Sequence, residues 1–512
     1  MVVKGVIKKG AYFDSVALMN VGRELSARDG VVDAAVVMGT KENRSILANS
    51  GLLLNEFKNA TDTDLLIGIR AKTQAAAEAA LKAAEDLLSA SRKKVSSGGQ
   101  ASATATNLAS ALEKVPDANL AIISIAGRYA AAEAMKALEK GLHVMLFSDN
   151  VSIEDEKKLK LFARRKGLLV MGPDCGTAII NGVPLAFANV VNRGDIGVVA
   201  ASGTGCQEVT CIISNEGCGI SQAIGTGGRD VKKDIGGIMF IEALKALAED
   251  RQTKVILLVS KPPHESVMRE IGKITAKISK PVVSMFLGAK PKDALMAVTL
   301  EEAALKAVAL SRGAKVRDVD SQLAANDAAI RSQASALANR CKPKQKYLRG
   351  LFSGGTFCTE AQILFQKLPG GLYANSPSGT AKQLKDLLRS RKNTVIDLGE
   401  DEFTVGRPHP MIDFSLRNQR ILQEASDPET AVILLDVVLG YGSNMDPAGE
   451  LQDVIKKACK KVLVVCSITG TARDPQNRSK VRETLRKAGA IVMPTNAEAC
   501  RLAGSIIEKL GE

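Results

Sequence analysis

Ile196-Gly197-Val198-Val199-Ala200-Ala201-Ser202-Gly203-Thr204-Gly205-Cys206-Gln207-Glu208 is an apolar run that breaks at Ser202 into a small-residue turn and then a helical pattern. About 150 residues on stands a second copy, Leu348-Arg349-Gly350-Leu351-Phe352-Ser353-Gly354-Gly355-Thr356-Phe357-Cys358-Thr359-Glu360. Each predicts a buried strand, a tight turn and a helix, and the copies share Gly-Thr-x-Cys-x-Glu. Such a turn leaves backbone N–H groups unpaired at the helix start. Together with the helix dipole they favour a phosphate or carboxylate. Ser202, Gly203, Thr204 and Gly205, with Ser353, Gly354, Gly355 and Thr356, are therefore candidate anion-binding residues, and two such ends could converge on one anion. The competing reading of each is a plain N-cap in a tight turn.

Working outward, the expected fold class is multidomain α/β. Residues 1–91 mix short β runs (Val31–Met38, Leu65–Ile69) with an Ala-rich helix over 74–90, a small N-terminal α/β domain. The polar, Ser/Gly-rich stretch 92–107 reads as a linker. Residues 108–193 alternate strictly: strands at Leu120–Ile125, His143–Phe147 and Leu168–Met171, helices at Ala130–Lys140 and 152–166. That order predicts a parallel, Rossmann-like sheet. Residues 194–311 and 346–512 form two further flavodoxin-like units joined by 312–345, a polar, Ala-rich connecting stretch. The last two units read as distant copies. Each follows its strand–turn–helix with a Gly/acidic turn (Gly227-Gly228-Arg229-Asp230, Gly399-Glu400-Asp401-Glu402) and then a buried strand (Val255–Leu258, Val432–Leu435).

Composition narrows the function. The 512 residues suit several domains. Aromatics are 3% and Trp is absent, which argues against single-stranded nucleic acid. The net charge of +14 comes from scattered Lys and Arg, a bias toward small anionic ligands rather than a nucleic-acid stripe. Nine cysteines without a CxxC pair predict free thiols in a reducing compartment, and no spacing suggests a metal-ligand set. With no signal-like segment and no run near the roughly 18 apolar residues that span a bilayer, the expectation is a cytoplasmic protein without a membrane partner.

Strand ends supply further candidates, because ligands of such sheets gather there. Gly227 and Gly228 form a close-approach turn, and Arg229 is suited to clamp a carboxylate or phosphate. In the proline-flanked loop Gly406-Arg407-Pro408-His409-Pro410, Arg407 is a candidate clamp and His409 a candidate acid–base group. Gly440, Tyr441, Gly442 and Asn444 follow a buried strand and are candidate substrate contacts; Thr469–Asp474 is another possible anion loop. His264 and His143 read as structural, and Cys206 and Cys358 as small packing residues more than nucleophiles.

Residues 118–311 resemble the α subunit of succinyl-CoA synthetase and the NDP-forming acyl-CoA synthetases, and 346–512 the ligase domain of the β subunit, which implies that 108–193 is a CoA-binding-type domain and that 194–311 and 346–512 are ligase-like domains. The similarity is greatest to the FdrA family, through Gly172-Pro173-Asp174-Cys175-Gly176-Thr177-Ala178-Ile179-Ile180-Asn181-Gly182, Ala201-Ser202-Gly203-Thr204-Gly205 and Ala223-Ile224-Gly225-Thr226-Gly227-Gly228-Arg229-Asp230. The resemblance implies two helix N-termini aimed at one phosphoryl group. It also implies a phosphohistidine loop after Pro281–Gly288, where this chain continues Ala289-Lys290-Pro291-Lys292. An ATP-grasp segment and a Gly-rich CoA loop are likewise not found. FdrA-like proteins are linked to oxamate carbamoyltransferase in allantoin and purine breakdown. The resemblance thus implies a carbamoyltransferase subunit that interconverts oxalurate plus phosphate with oxamate plus carbamoyl phosphate. It would act in an oligomer with companion subunits, upstream of a carbamate kinase, by a reaction that needs neither CoA nor phosphohistidine. The alternatives are an acyl-CoA synthetase component, which would bind CoA, and a non-catalytic scaffold.

Overall fold

Apolar runs and turn residues place the strands where the alternation predicts them. The computed structural model describes residues 1–11, 13, 15–26, 28–96, 105, 107–289, 293, 295–404 and 408–511. The chain divides into two compact units, Met1–Pro116 with Asp401–His409, and Asp117–Glu400 with Pro410–Glu512.

In the first unit β1 (Val2–Lys8), α1 (Ser15–Ser26), β2 (Val31–Met38), α2 (Lys41–Asn49), β3 (Leu65–Ala71), α3 (Gln74–Ser96) and α4 (Leu108–Lys114) follow in order. The sheet is antiparallel, β1-β3-β2. Its central strand β3 is apolar on both faces, because both are covered. Ile67 and Ile69 pack with Leu18, Leu25, Ala80, Ala84 and Leu88; Leu66 packs with Leu47, Leu52 and Phe57. Of the expected linker, 92–96 extend α3, whereas 97–104 and 106 lie outside the described residues.

The second unit opens with β4 (Leu120–Ile123), α5 (Gly127–Glu139), β5 (His143–Leu146), α6 (Ile153–Lys166) and β6 (Val170–Met171), a parallel sheet β4-β5-β6. Helix α6 carries its boundaries in its sequence. Ser152 caps it, Glu154, Asp155 and Glu156 fill its first turn, Arg164, Arg165 and Lys166 its last, and Gly167 ends it with φ 68°.

The Rossmann-like segment ends earlier than expected. β7 (Thr177–Ile180) and β8 (Val183–Ala186) form a hairpin across Asn181-Gly182, whose φ values of 51° and 83° suit a type I′ turn. This hairpin adds antiparallel to the next sheet. That sheet contains β9 (Arg193–Ala201), β10 (Ile220–Gly225), β11 (Val255–Ser260), β12 (Val282–Phe286) and β13 (Met296–Ala297), in the order β13-β12-β11-β9-β10-β7-β8. Its five parallel strands run 2-1-3-4-5, the flavodoxin-like order. The helices α7 (Gly203–Asn215), α8 (Ile238–Glu249), α9 (Glu265–Thr275) and α10 (Leu300–Ser311) accompany it. The connecting stretch 312–345 is mostly the helix α11 (Val316–Ala338), which packs by burying Val319, Ile330, Ala334 and Leu337.

The last sheet is wholly parallel, with β14 (Tyr347–Phe352), β15 (Leu372–Ala374), β16 (Lys382–Gln383), β17 (Asn393–Asp397), β18 (Thr430–Val438), β19 (Leu463–Thr469) and β20 (Ile491–Met493) in the order β16-β15-β17-β14-β18-β19-β20. Its helices are α12 (Gly355–Leu364), α14 (Ser415–Glu424), α15 (Pro447–Ala458), α16 (Arg478–Lys487) and α17 (Asn496–Gly511); the one-turn helix α13 (Asp401–Thr404) groups with the first unit. The duplication is visible in the register. β9 lies between β10 and β11 as β14 lies between β17 and β18, and the Gly/acidic turns follow β10 and β17. One apolar cluster, including Val198, Val209, Ala304, Phe357, Leu434 and Leu502, runs through both seven-stranded sheets and their helices. Among the described residues no helix is long and apolar enough to cross a membrane.

Candidate functional site

Helices α7 and α12 begin at the carboxyl ends of β9 and β14, and their N-termini meet. Ser202 Oγ lies 2.6 Å from Thr356 Oγ1. A Cβ on Gly354 would stand 2.9 Å from Thr204 Cγ2, and one on Gly205 3.2 Å from Thr356 Cγ2. Glycine at these positions is what lets two helix ends from different sheets touch. Gly203 is exposed, and Thr204 and Gly355 are half-buried, so one side of the junction faces solvent.

The eight predicted anion-site residues therefore come together, but not all of their amides are available. Ser202 acts as the plain N-cap as well, its Oγ accepting from Gly205 N–H at 3.1 Å. Ser353 N–H and Gly354 N–H donate to the Asp436 carboxylate at 2.8 and 2.9 Å, and Ser353 Oγ–H also donates to it. Ser353 and Gly354 are thus corrected from anion donors to partners of a buried carboxylate. The amides of Gly203, Thr204, Gly355 and Thr356 find no acceptor among the described residues. These four are the amides left free to serve an anion at the junction.

Asp436 is itself neutralised by Arg417 at 3.2 Å, with both side chains fully buried, and the Arg417 guanidinium lies over the Phe414 ring at 4.4 Å. Burial pushes the Asp436 carboxyl up, while Arg417 and the three Ser353/Gly354 donors oppose the rise.

Two charged residues at the junction carry no local sequence signal. Asp397 ends β17, and its Oδ2 stands 2.5 Å from the point a Cβ of Gly355 would occupy; Lys261, just past β11, brings its Nζ to 3.9 Å of that point. Glu208 and Glu360, the last residues of the repeated motif, are structural cross-links. Glu208 accepts from Thr469 Oγ1–H and Asn496 N–H, and Glu360 from Leu300 N–H and Asn496 Nδ2–H. Burial pushes the Glu360 carboxyl up to about 7.

The remaining candidates are placed elsewhere. Arg229 pairs with Glu156 at 2.8 Å and donates to Val151 O, in a network where fully buried Lys160 bonds Glu156, Asp230 and Thr226 O. Its expected role as a clamp is replaced by that of a surface lid on a buried ion cluster. Asp230 accepts from Met239 N–H and Phe240 N–H at the start of α8. Gly227 packs on Pro173 O, where a Cβ would clash at 2.3 Å; Gly228 faces open space. The loop after β18 is knitted to its neighbours. Gly440 bonds Gln476 in both directions, Tyr441 N–H donates to Ala188 O, Gly442 lies against Phe187, and Asn444 donates to Ile412 O and Glu450. The Tyr441 side chain is exposed, as is that of Met445 farther along the loop. Likewise Asp474 accepts from Thr471, Asn189 and Val190, so the Thr469–Asp474 loop already holds an anion of its own.

Arg407 lies outside the described residues, and His409 belongs to the segment grouped with the first unit. His143 Nδ1 accepts from Leu169 N–H, burial pushing its pKa down, and His264 caps α9. Burial pushes the Cys206 thiol up to about 12 and Cys358 well above its ordinary value, which removes both as thiolate nucleophiles.

Three family models match the chain: CoA-ligase over residues 351–506, CoA binding domain over 191–288, and AllF, heavy metal-associated domain, over 1–106. The CoA-binding match falls on the β9–β12 sheet, not on the 108–193 stretch read as CoA-binding-type. The chain is 44% identical over 521 residues to uncharacterized protein YahF of Escherichia coli (strain K12), an alignment covering 99% of each. It is 28% identical over 178 residues to succinate–CoA ligase [ADP-forming] subunit alpha 2 of Archaeoglobus fulgidus, covering 34% of this chain and 60% of that one. A dinucleotide-forming acetyl-coenzyme A synthetase 1 from Ca. Korarchaeum cryptofilum aligns with TM-score 0.27 at 16% identity, over 77% of this chain and 82% of that one.

The matched models define a protein that carries a CoA-binding domain and a CoA-ligase domain behind an AllF-type N-terminal domain. Within that class the chain belongs to the family of YahF. The heavy-metal label of the N-terminal domain does not fit its residues. Positions 1–106 contain no Cys and no His, and among the described residues no group of His, Cys, Asp or Glu is arranged to hold a metal ion.

Proposed function

We infer that this chain is a CoA-ligase-type component of an acyl-CoA-synthetase-like enzyme, and that the junction of α7 and α12 holds the phosphoryl group of an acyl phosphate. The observation that carries this is the 2.6 Å contact between Ser202 and Thr356, with four unpaired amides and the Lys261 ammonium beside it. A bound phosphoryl group would replace the hydroxyl–hydroxyl bond and accept from both hydroxyls, the amides and Lys261. The CoA-ligase match and the identity to a succinate–CoA ligase subunit support the thioester as product, with CoA as the accepting thiol.

A second reading keeps the site and changes the acceptor. In carbamoyl transfer, phosphate attacks oxalurate to give oxamate and carbamoyl phosphate, itself an acyl phosphate. What favours it is the placement of the histidines of the second unit: His143 and His264 each serve a local backbone amide through Nδ1, and neither is bonded to a residue of the α7–α12 junction among the described residues.

Calorimetric titration with inorganic phosphate tests the shared site. Thr356→Val is expected to weaken binding by about tenfold or more, the effect of losing one hydrogen bond to a charged group. Assays of the chain with its companion subunits then separate the readings. Thioester formed from ATP, CoA and a carboxylic acid supports the first, and carbamoyl phosphate formed from oxalurate and phosphate the second. Absence of phosphate binding overturns both.

A further inference from the structure

Asp397 is a buried carboxylate at the phosphoryl site that the function above does not use. Its backbone is locked: Asp397 N–H donates to Asn375 Oδ1 at 2.9 Å, and Asn375 Nδ2–H to Asp397 O at 3.0 Å. Oδ1 accepts from Gly399 N–H at 2.9 Å. Oδ2 finds no donor among the described residues, although the residue is only 5% exposed. This oxygen points at Gly355, the first residue of α12, with Lys261 Nζ on the same side. An ionised carboxylate beside amides that wait for an anion is a contradiction in charge: a phosphate arriving there meets like charge, unless the carboxyl carries a proton and donates it.

The geometry points to Asp397 as the proton-carrying residue of the phosphoryl site, donating from Oδ2 to a phosphate oxygen while Lys261 supplies the fixed positive charge. This rests on the phosphoryl reading above. When an acyl phosphate is consumed, a thiol or amine attacks the carbonyl carbon and the bond from that carbon to the phosphate oxygen breaks. The electron pair goes to the oxygen, which takes the Asp397 proton; the proton of the nucleophile leaves to water. In reverse, the Asp397 carboxylate takes the proton from phosphate as its oxygen attacks the carbonyl.

The surroundings keep the proton available near neutrality. Burial pushes Asp397 up to about 7; Glu400, just beyond it in the same turn, and Asp436 on β18 add to the rise, while the Gly399 amide and Lys261 after β11 oppose it. Cys358 on α12 faces Asp397 as a neutral thiol, and Arg417 on α14 is engaged with Asp436.

Sulfate is the decisive probe, because it mimics phosphate and does not titrate near neutral pH. Titrating wild type with sulfate from about pH 5.5 to pH 8.5, affinity is expected to fall about tenfold per pH unit above about 7, with one proton taken up per sulfate bound. Asp397→Asn keeps the Oδ1 acceptor and is expected to bind sulfate with flat pH dependence and no proton uptake. Proton uptake by wild type, read from calorimetry in buffers of different ionisation enthalpy, tests the idea without any variant. Lys261→Ala is expected to weaken sulfate by about tenfold below pH 7 and to keep the slope, with its onset moved to higher pH because Lys261 opposes protonation of Asp397. Sulfate binding by wild type that is independent of pH overturns the role of Asp397 and leaves the phosphoryl site standing. Failure of both sulfate and phosphate to bind overturns the site, and with it the inference.

Discussion

Asp436→Ala is expected to lower the stability of the second unit by about 3–5 kcal/mol, read as a fall in the urea midpoint of its unfolding transition at unchanged slope. Two losses add. The Arg417 guanidinium is left charged and fully buried, with the Asp436 carbonyl and the Phe414 ring as its remaining contacts among the described residues. The Ser353 and Gly354 amides also lose their acceptor at a helix start inside the protein. The cost comes from stranding one partner more than from the attraction between the two. A double replacement, Asp436→Leu with Arg417→Met, is therefore expected to recover a large part of the loss. A single variant within about 1 kcal/mol of wild type would mean that the pair is solvated in solution.

This pair also marks where sequence reading stops. The parallel sheets were legible because strands covered on both faces are continuous apolar runs bounded by small residues, as in Val255–Ser260 and Thr430–Val438. The two Ser-Gly turns were legible because they repeat. The hairpin Thr177–Ala186 carries no sign of the sheet it joins: a short strand shows the same pattern whichever neighbour it takes, and its pairing with β10 is a tertiary choice. Arg229 reads as a free clamp because the acidic first turn of α6 lies some 70 residues away in sequence. Glu156 and Lys160 show their i,i+4 spacing, but nothing local says that both vanish into the interior beside Asp230. Asp397 ends a strand, Asp436 sits within one and Lys261 follows one, with no motif around them, and only the duplicated topology brings them to one helix start.

Gly354→Ala is expected to weaken phosphate binding by more than about tenfold, about 1.4 kcal/mol, while Gly228→Ala leaves it within about twofold. The backbone of Gly354 is ordinary, with φ −108° and ψ 116°, so alanine introduces no conformational strain there. What it introduces is volume between two helix ends. The new methyl would lie 2.7 Å from Phe357 Cδ2 and 2.9 and 3.0 Å from Thr204 Cγ2 and Oγ1. Phe357 is fully buried and cannot yield, so the strain passes to Thr204 and through it to α7. Spreading the helices by even part of an ångström takes the Gly203 and Thr204 amides out of reach of a group still held by Gly355 and Thr356. At Gly228 an added Cβ meets nothing within 4 Å, which makes it the control for a glycine replaced in a turn of the same unit. The paired-helix reading requires the two variants to differ. Equal phosphate affinity in Gly354→Ala, Gly228→Ala and wild type, measured side by side by calorimetry on folded protein, would mean that the ligand does not depend on both helices together.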